Sequence, residues 1–251
     1  MNQTALDKRD WDPAEPLYRR VEREILQYLA QGEWKPGDRL PTESQLAERF
    51  GVAVFTIRGG ISELVDAKIL VRKQGKGTFV ATHGNERQRY QFSRVFDEAG
   101  NKVYFDRRLL SFRRISADKK LAAALRLPEG RASVFAIECE LGDRGRPAAA
   151  MEIALPSHLF AGLTAKAVRE SNENLYAVYQ TACGVNVIRI EERVYCVQAT
   201  PKVAKALGVK RGSPALRIER TAYTYSDVPV EFRVRTYDAS RYHYAWSDPS
   251  R

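Results

Sequence analysis

Residues 40–80 read LPTESQLAERFGVAVFTIRGGISELVDAKILVRKQGKGTFV, and their patterning decides the fold of the first third of the chain. Leu40-Pro41 leads into a helix whose Thr42 and Gln45 have the spacing of a capping box, in which each side chain satisfies an orphan backbone N–H. Leu46, Ala47 and Phe50 recur at helical spacing, and Gly51 suits the left-handed position that ends a helix. The spacing predicts a second helix from about residue 55 to 68. Its inner side would be Ile57, Ile61, Leu64 and Val65, with Phe55, Thr56 and Arg58 outward near its start. Residues 69–80 read as two strands around Gln74-Gly75-Lys76-Gly77, a turn that sets Lys76 between two glycines. Two helices joined by a sharp turn and followed by a basic hairpin make a winged helix-turn-helix. In such a unit the second helix enters the major groove of double-stranded DNA, and the wing lies along the backbone or minor groove.

Working outward, Tyr18, Val21, Ile25, Leu26 and Leu29 are spaced as one face of a preceding helix. The first 15 residues are polar and proline-punctuated, with no apolar core of a signal peptide. After the wing, residues 81–89 (ATHGNERQR) read as a linker. At 251 residues the chain has room for two domains. No run approaches the ~18 apolar residues of a membrane helix, and the cysteine usage described next fits a reducing cytoplasm, the expected compartment. Three cysteines, Cys139, Cys183 and Cys196, form neither a C-x-x-C pair nor an even disulfide set. The net charge is +10, yet residues 1–85 hold 13 Lys and Arg against 12 Asp and Glu. A DNA-binding reading therefore rests on motif geometry and the local cluster Arg72, Lys73 and Lys76. The excess charge of the second part can steer the chain to DNA or attract an acidic effector, and a plain solvated basic surface explains it equally well.

The second part carries an internal repeat. LAAALRLPEG at residues 121–130 parallels VAKALGVKRG at 203–212. Each copy reads as a short amphipathic helix, a glycine turn and a strand, at about 132–141 and 214–225, followed by a turn and another strand. Two such units predict a pseudo-symmetric α+β domain, an antiparallel sheet with helices covering one face.

The first third resembles the GntR family of bacterial transcription regulators. The family's W/Y-x-P-G-x-x-L-P-S/T-E pattern stands here as Trp34 to Glu43, its recognition-helix consensus as residues 52–61, and its G-x-G-T-F-V wing as residues 75–80. Where the family has Ser-Arg this chain has Ala53-Val54, and Gly59-Gly60 place two poor helix formers inside the reading helix. Residues 90–246, with SNENLYAVY at 171–179 and Pro229-Val230-Glu231, resemble the UTRA effector-binding domain of the HutC-type branch, related in fold to chorismate lyase. Together the two resemblances imply an α+β chain, a winged helix-turn-helix over residues 16–80 and a UTRA-type antiparallel sheet domain. They further imply a homodimeric, ligand-responsive repressor on a palindromic operator. The DNA-contact set is then Thr42, Phe55, Thr56, Arg58, Lys73, Gly75, Lys76 and Gly77.

For the effector the resemblance implies a pocket drawing on Phe92, Ser93, Arg94, Glu152, Glu231 and Tyr237. The family's E-R-x-R strand has become Glu138-Cys139-Glu140-Leu141, so both of its arginines are missing. Without bidentate guanidinium donors the expected effector lacks phosphate and offers hydroxyl or ammonium groups to the glutamates. Glu152 and Glu231 are equally readable as sheet carboxylates paired with Arg233 or Arg235, and Tyr237 as core. His83, His158 and His243 are scattered, with no i, i+4 metal pair. No nucleophile elbow or phosphate loop is present, so neither cofactor, metal nor catalysis is expected. The alternative is a sensor or interaction protein whose head has lost specific DNA recognition, a reading drawn from Ala53, Val54 and the glycine pair.

Overall fold

A computed structural model describes residues 15–82, 92–128, 132–171 and 175–246. The expected linker and N-terminal tail fall almost wholly outside these residues. The chain divides into two compact units, the first built on residues up to Thr82.

Among the described residues the first unit holds three helices, α1 (Leu17–Ala30), α2 (Glu43–Phe50) and α3 (Val54–Asp66), and a hairpin of β1 (Leu70–Lys73) and β2 (Gly77–Val80). The capping box forms: the Gln45 backbone N–H donates to Thr42 Oγ1 at 3.3 Å, and the Thr42 N–H donates to Gln45 Oε1 at 2.9 Å. Gly51 closes α2 in the left-handed conformation at φ 65°. Val21, Ile25, Leu29, Leu46, Phe50, Ile57, Ile61 and Leu64 are buried together as the apolar spacing requires. Val65 is only half-buried, because α3 turns it to the edge of that core. The segment before α2 pairs with the wing: Leu40 N–H donates to Thr78 O at 2.9 Å and Val80 N–H to Asp38 O at 2.9 Å. The Trp34-to-Pro41 motif is thus tied to the wing by these bonds and an isolated bridge between Arg39 and Phe79.

The glycine pair in α3 has a packing reason. A Cβ on Gly60 would lie 2.7 Å from Val21 Cγ1 and 2.9 Å from the Tyr18 carbonyl oxygen. One on Gly59 would meet Tyr18 Cβ at 3.1 Å. Here α1 approaches α3 closely enough that only hydrogen fits at position 60.

The second unit is built on a six-stranded antiparallel sheet ordered β4 (Asp106–Ser116), β5 (Ser133–Asp143), β6 (Arg146–Pro156), β9 (Pro229–Asp238), β8 (Pro214–Tyr223), β7 (Arg189–Gln198). A small two-stranded ladder joins β3 (Val95–Asp97) to β10 (Tyr242–Tyr244). Among the described residues four helices complete it: α4 (Lys119–Ala124), α5 (Ala165–Glu170), α6 (Leu175–Cys183) and α7 (Pro201–Leu207). The repeat is real and one strand longer than the sequence suggests. It runs strand, helix, strand, strand as β4-α4-β5-β6 and again as β7-α7-β8-β9, so β6 and β9 meet at the centre of the sheet. Asp118 and Thr200 cap the two repeat helices through their side chains.

Helices cover both sheet faces, which corrects the one-face expectation. The face carrying Ile137, Cys139, Met151, Ile153 and Ile218 packs under α5 and α6 as the main core. The other face carries Val134, Ala154 and Phe232, packed against Leu121 and Ala124 of α4. The repeat supplies only α4 and α7; α5 and α6 lie in the connection between the two copies, where no periodic repeat announced them.

Candidate functional sites

In the first unit the outward residues of α3 and the wing form the candidate nucleic-acid interface. Phe55 is 83% exposed and Val54 is exposed beside it. Arg58 lies outward, and its Nε and Nη2 donate to Glu43 Oε2 at 3.0 Å each. Arg72 of β1 stands 4.0 Å from the other oxygen of Glu43 and 3.5 Å from Ser62 Oγ. Glu43 therefore holds two cations on the reading side of the unit. Lys73 rests over the Phe79 ring at 4.4 Å, and Lys76 is exposed at the wing tip. Gly75 and Gly77 take φ of 69° and 107°, and a Cβ on Gly77 would meet Arg39 Nε at 2.9 Å, so the turn demands both glycines. Thr42 is exposed but spends its hydroxyl on the cap. Ala53 precedes α3 with no side-chain cap, as its type dictates. Behind this surface Arg49 binds Glu33 at 2.5 Å and lies 4.2 Å over the Tyr28 ring, fixing the end of α2 against α1.

In the second unit, alternation along β9 sets Glu231, Arg233, Arg235 and Tyr237 on the face beneath α6. Glu231 is fully buried and receives three donors. They are the Tyr176 hydroxyl at 3.1 Å, the Tyr179 hydroxyl at 2.8 Å and Arg233 Nη2 at 2.5 Å. A second buried carboxylate, Glu192 on β7, gathers Arg220 at 2.7 Å, Arg235 at 3.2 Å, Arg94 at 3.5 Å and the Tyr244 hydroxyl at 2.9 Å. Arg220 links the two centres, donating to the Tyr176 hydroxyl at 3.3 Å and to the Phe92 carbonyl at 2.5 Å. Arg107 on β4 adds a cation on the same side and donates to the Val168 and Ser171 carbonyls.

Burial opposes ionisation of Glu192, but the Arg220 and Arg235 guanidiniums, with hydrogen bonds from Arg220 and Tyr244, outweigh it and hold the carboxyl below its ordinary range. Burial drives Arg235 down, and neighbouring Arg220 and Arg233 add to the effect against the opposite pull of Tyr237 and Glu192. Cys139 is pushed up to about 11 by burial against the pull of Arg107 and Arg233, so its thiol stays neutral.

This geometry gathers Phe92, Arg94 and Glu231 into one network, with Tyr237 at its end, where Arg235 lies 5.8 Å from the ring. Ser93 lies between Phe92 and Arg94 and is half-buried. Glu152 does not join them. It alternates to the other face, is largely exposed and pairs with Lys202 at 2.8 Å. That face carries its own cavity of about 270 Å³, lined among others by Glu138, Glu152, Lys202 and Arg217. Glu231 pairs with Arg233 as one reading of the sequence had it, whereas Glu152 takes a lysine that the sequence did not suggest. The glutamates are therefore engaged by cations and phenols, which removes the ground for an effector chosen by free glutamates. Positions 139 and 141 do face inward without arginine, but guanidiniums enter the same face from β8 and β9. The signal for them was in the sequence: E-x-R-x-R-x-Y at 231–237 has the two-residue period that sets every member on one side of a strand. Nothing local pointed to Glu192, and Tyr176 and Tyr179 were visible only as members of the SNENLYAVY segment, not as site residues; all three reach the site from distant segments.

A winged helix-turn-helix head joined to an α+β domain with a polar interior site is the make-up of a ligand-sensing transcription regulator. Comparison with known proteins agrees. Residues 17–80 match the description "Bacterial regulatory proteins, gntR family", and residues 104–243 match "UTRA domain". The mannosyl-D-glycerate transport/metabolism system repressor MngR of Escherichia coli is 29% identical over 234 residues, covering 91% of this chain and 94% of that protein. The histidine utilization repressor of Klebsiella aerogenes is 27% identical over 236 residues, covering 90% and 92%. A solved ligand-binding domain assigned to a GntR-family transcriptional regulator from Bordetella bronchiseptica is 34% identical with a TM-score of 0.60, covering 64% of this chain and 99% of that one. The chain belongs to the GntR family of bacterial transcription regulators, in the branch whose second domain is a UTRA domain. Among the described residues no helix is long and apolar enough to cross a membrane.

Proposed function

We propose that this regulator is a cytoplasmic homodimeric repressor, not an enzyme, that binds a palindromic operator and responds to a small molecule held by its UTRA domain. The observation that carries the reading is the outward surface of α3 and the wing, where Phe55 and Arg58 are exposed, Arg58 and Arg72 share Glu43, and Lys76 is exposed at the wing tip. In this reading Arg58 meets a base edge or phosphate, Thr56 a phosphate, and Lys76 with Gly77 the wing's share of the backbone. Thr42 and Lys73 flank that surface, and Gly75 lets the turn approach it. Residues 16–80 act as the head and 90–246 as the sensor, joined by the segment at 81–89. Phe92, Ser93, Arg94, Glu231 and Tyr237 belong to the effector site; Glu152 belongs to the opposite face.

The names of the relatives as repressors support the sign of regulation. The reading in which the head has lost DNA recognition drew on four residues, and two of them, Gly59 and Gly60, are accounted for by packing against α1. The test is a polarisation assay of the purified protein on DNA from its own upstream region at two salt concentrations. Specific binding that falls steeply with salt is expected from phosphate contacts. Binding no tighter than to unrelated DNA would sink the operator reading.

A further inference from the structure

The β9 row carries more positive charge and more donors than the described residues around it can use. Arg233 stands directly opposite Arg220 in the β8–β9 register, both side chains on the same face. Like charges so placed destabilise a sheet, and a buried guanidinium needs a counter-charge as well as hydrogen bonds. Arg220, Arg233 and Arg235 are each more than nine-tenths buried. Counting Arg94, four guanidiniums converge on two carboxylates, Glu231 and Glu192. The remaining acids of the cluster do not help. Burial lifts the Tyr176 and Tyr179 phenols and the Cys139 thiol, so all three are neutral near pH 7.

Unused donors point the same way. Arg233 Nε, Arg235 Nε and the Tyr237 hydroxyl are buried and have no hydrogen-bond partner among the described residues. Arg217 Nε on β8 is a fourth such donor, on the opposite face; these three belong to successive inward positions of β9 and so form a line. Buried donors without acceptors are uncommon and call for a specific cause. A water molecule satisfies a donor but leaves the charge, and a neutral hydroxyl does the same. An ammonium group adds to the excess, and both oxygens of Glu231 are already taken.

We propose that the Arg233, Arg235 and Tyr237 row of β9 binds an anionic group of the effector, a carboxylate or phosphate, with Arg235 its main partner. This rests on the ligand-responsive reading above and reverses the sequence expectation of a phosphate-free, cation- or hydroxyl-bearing effector. Arg235 is singled out because it shares Glu192 with Arg94 and Arg220 and has the weakest claim on that carboxylate among the buried arginines. Arg233 already has Glu231 at 2.5 Å.

The experiment is thermal unfolding of the full-length protein with inorganic phosphate, succinate or glucose, ionic strength held constant with chloride. Phosphate or succinate is expected to raise the Tm saturably by several degrees, and glucose to leave it unchanged. Whichever anion acts at the lower concentration tells phosphate from carboxylate. Arg235→Met should abolish the saturable shift while keeping or raising the anion-free Tm, since it removes uncompensated buried charge. Tyr237→Phe, which keeps the charge and the ring, should weaken the anion response severalfold and covers the case in which Arg235→Met fails to fold. If Arg235→Met lowers the anion-free Tm and retains the full anion shift, the arginine is structural and the proposal falls. A rise that never saturates and is equal in wild type and variants is a general salt effect and likewise overturns it. Operator release by a neutral or cationic metabolite would overturn the anion class while leaving the ligand-responsive reading intact. Lack of operator response to any of a broad metabolite panel would count against that wider reading itself.

Discussion

Glu192 offers two oxygens to three guanidiniums and a phenol, and it is the residue on which pH should act most visibly. Its folded carboxyl titrates below the ordinary glutamate value of about 4.3. A depressed folded value means that ionised Glu192 contributes stability above the unfolded value, and that this contribution fades as pH falls through the folded one. Glu192→Gln should therefore be about 3 kcal/mol less stable than wild type at pH 7, the scale for breaking a buried pair, with the gap narrowing below about pH 4. Denaturant melts at pH 7 and pH 3.5 measure it; a gap that is the same at both values would remove Glu192 from the account. At the other end of the chain, Glu43 holds Arg58 and Arg72 together. Arg58→Ala should weaken operator binding and lower the salt slope by about one phosphate contact if it meets backbone. If Arg58 reads a base edge instead, the slope should stay and discrimination between sequences should drop.

At the scale of elements, α3 shows two opposite compromises. Its start lacks a cap, and Ala53→Ser is expected to stabilise the first unit by about 1 kcal/mol. Its middle carries Gly60 where helix propensity alone favours alanine by about 1 kcal/mol. The Cβ of Gly60→Ala, however, would press into Val21 and the Tyr18 carbonyl oxygen. Overpacking of this kind costs about 1–3 kcal/mol, so Gly60→Ala should lower the Tm, whereas Gly59→Ala, against a Tyr18 side-chain contact at 3.1 Å, should be close to neutral. Calorimetry of the two variants side by side separates packing from propensity. Equal stabilisation of both would mean that α1 gives way readily. The helix start bears on DNA as well: Ala53→Ser with Val54→Arg restores a cap and adds a cation, and should tighten DNA binding. A double variant that leaves DNA affinity unchanged would mean that the start of α3 does not face DNA.

For the whole molecule, regulation requires that effector binding and DNA binding share free energy. A coupling of ~1–3 kcal/mol changes operator affinity 5- to 150-fold. By reciprocity the operator should change effector affinity by the same factor, which titration of the effector with and without operator DNA measures. The route to this reading was unevenly legible in the sequence. The head was almost wholly readable, because capping boxes, glycine turns and helical spacing are local: each is decided within four or five residues. Thr42, Gln45, Gly51 and Gly75 behave as their types dictate. The repeat in the second unit was readable for the same reason.

What the sequence determined by itself was a winged helix-turn-helix followed by a two-copy α+β domain, because period, caps and turns are short-range properties. What only the tertiary structure decided was which charges meet. Glu192 and Arg94 are 98 residues apart, Arg220 and Phe92 are 128 apart, and each pair is joined only when the strands take their register. Strand alternation also sent Glu152 to one face and Glu231 to the other, a division that depends on which face each strand turns toward α6. Likewise Gly60 looked like a weak point in a helix until α1 was packed beside it. Interactions across a fold are set by register and close approach, and neither is written in the spacing of any one segment.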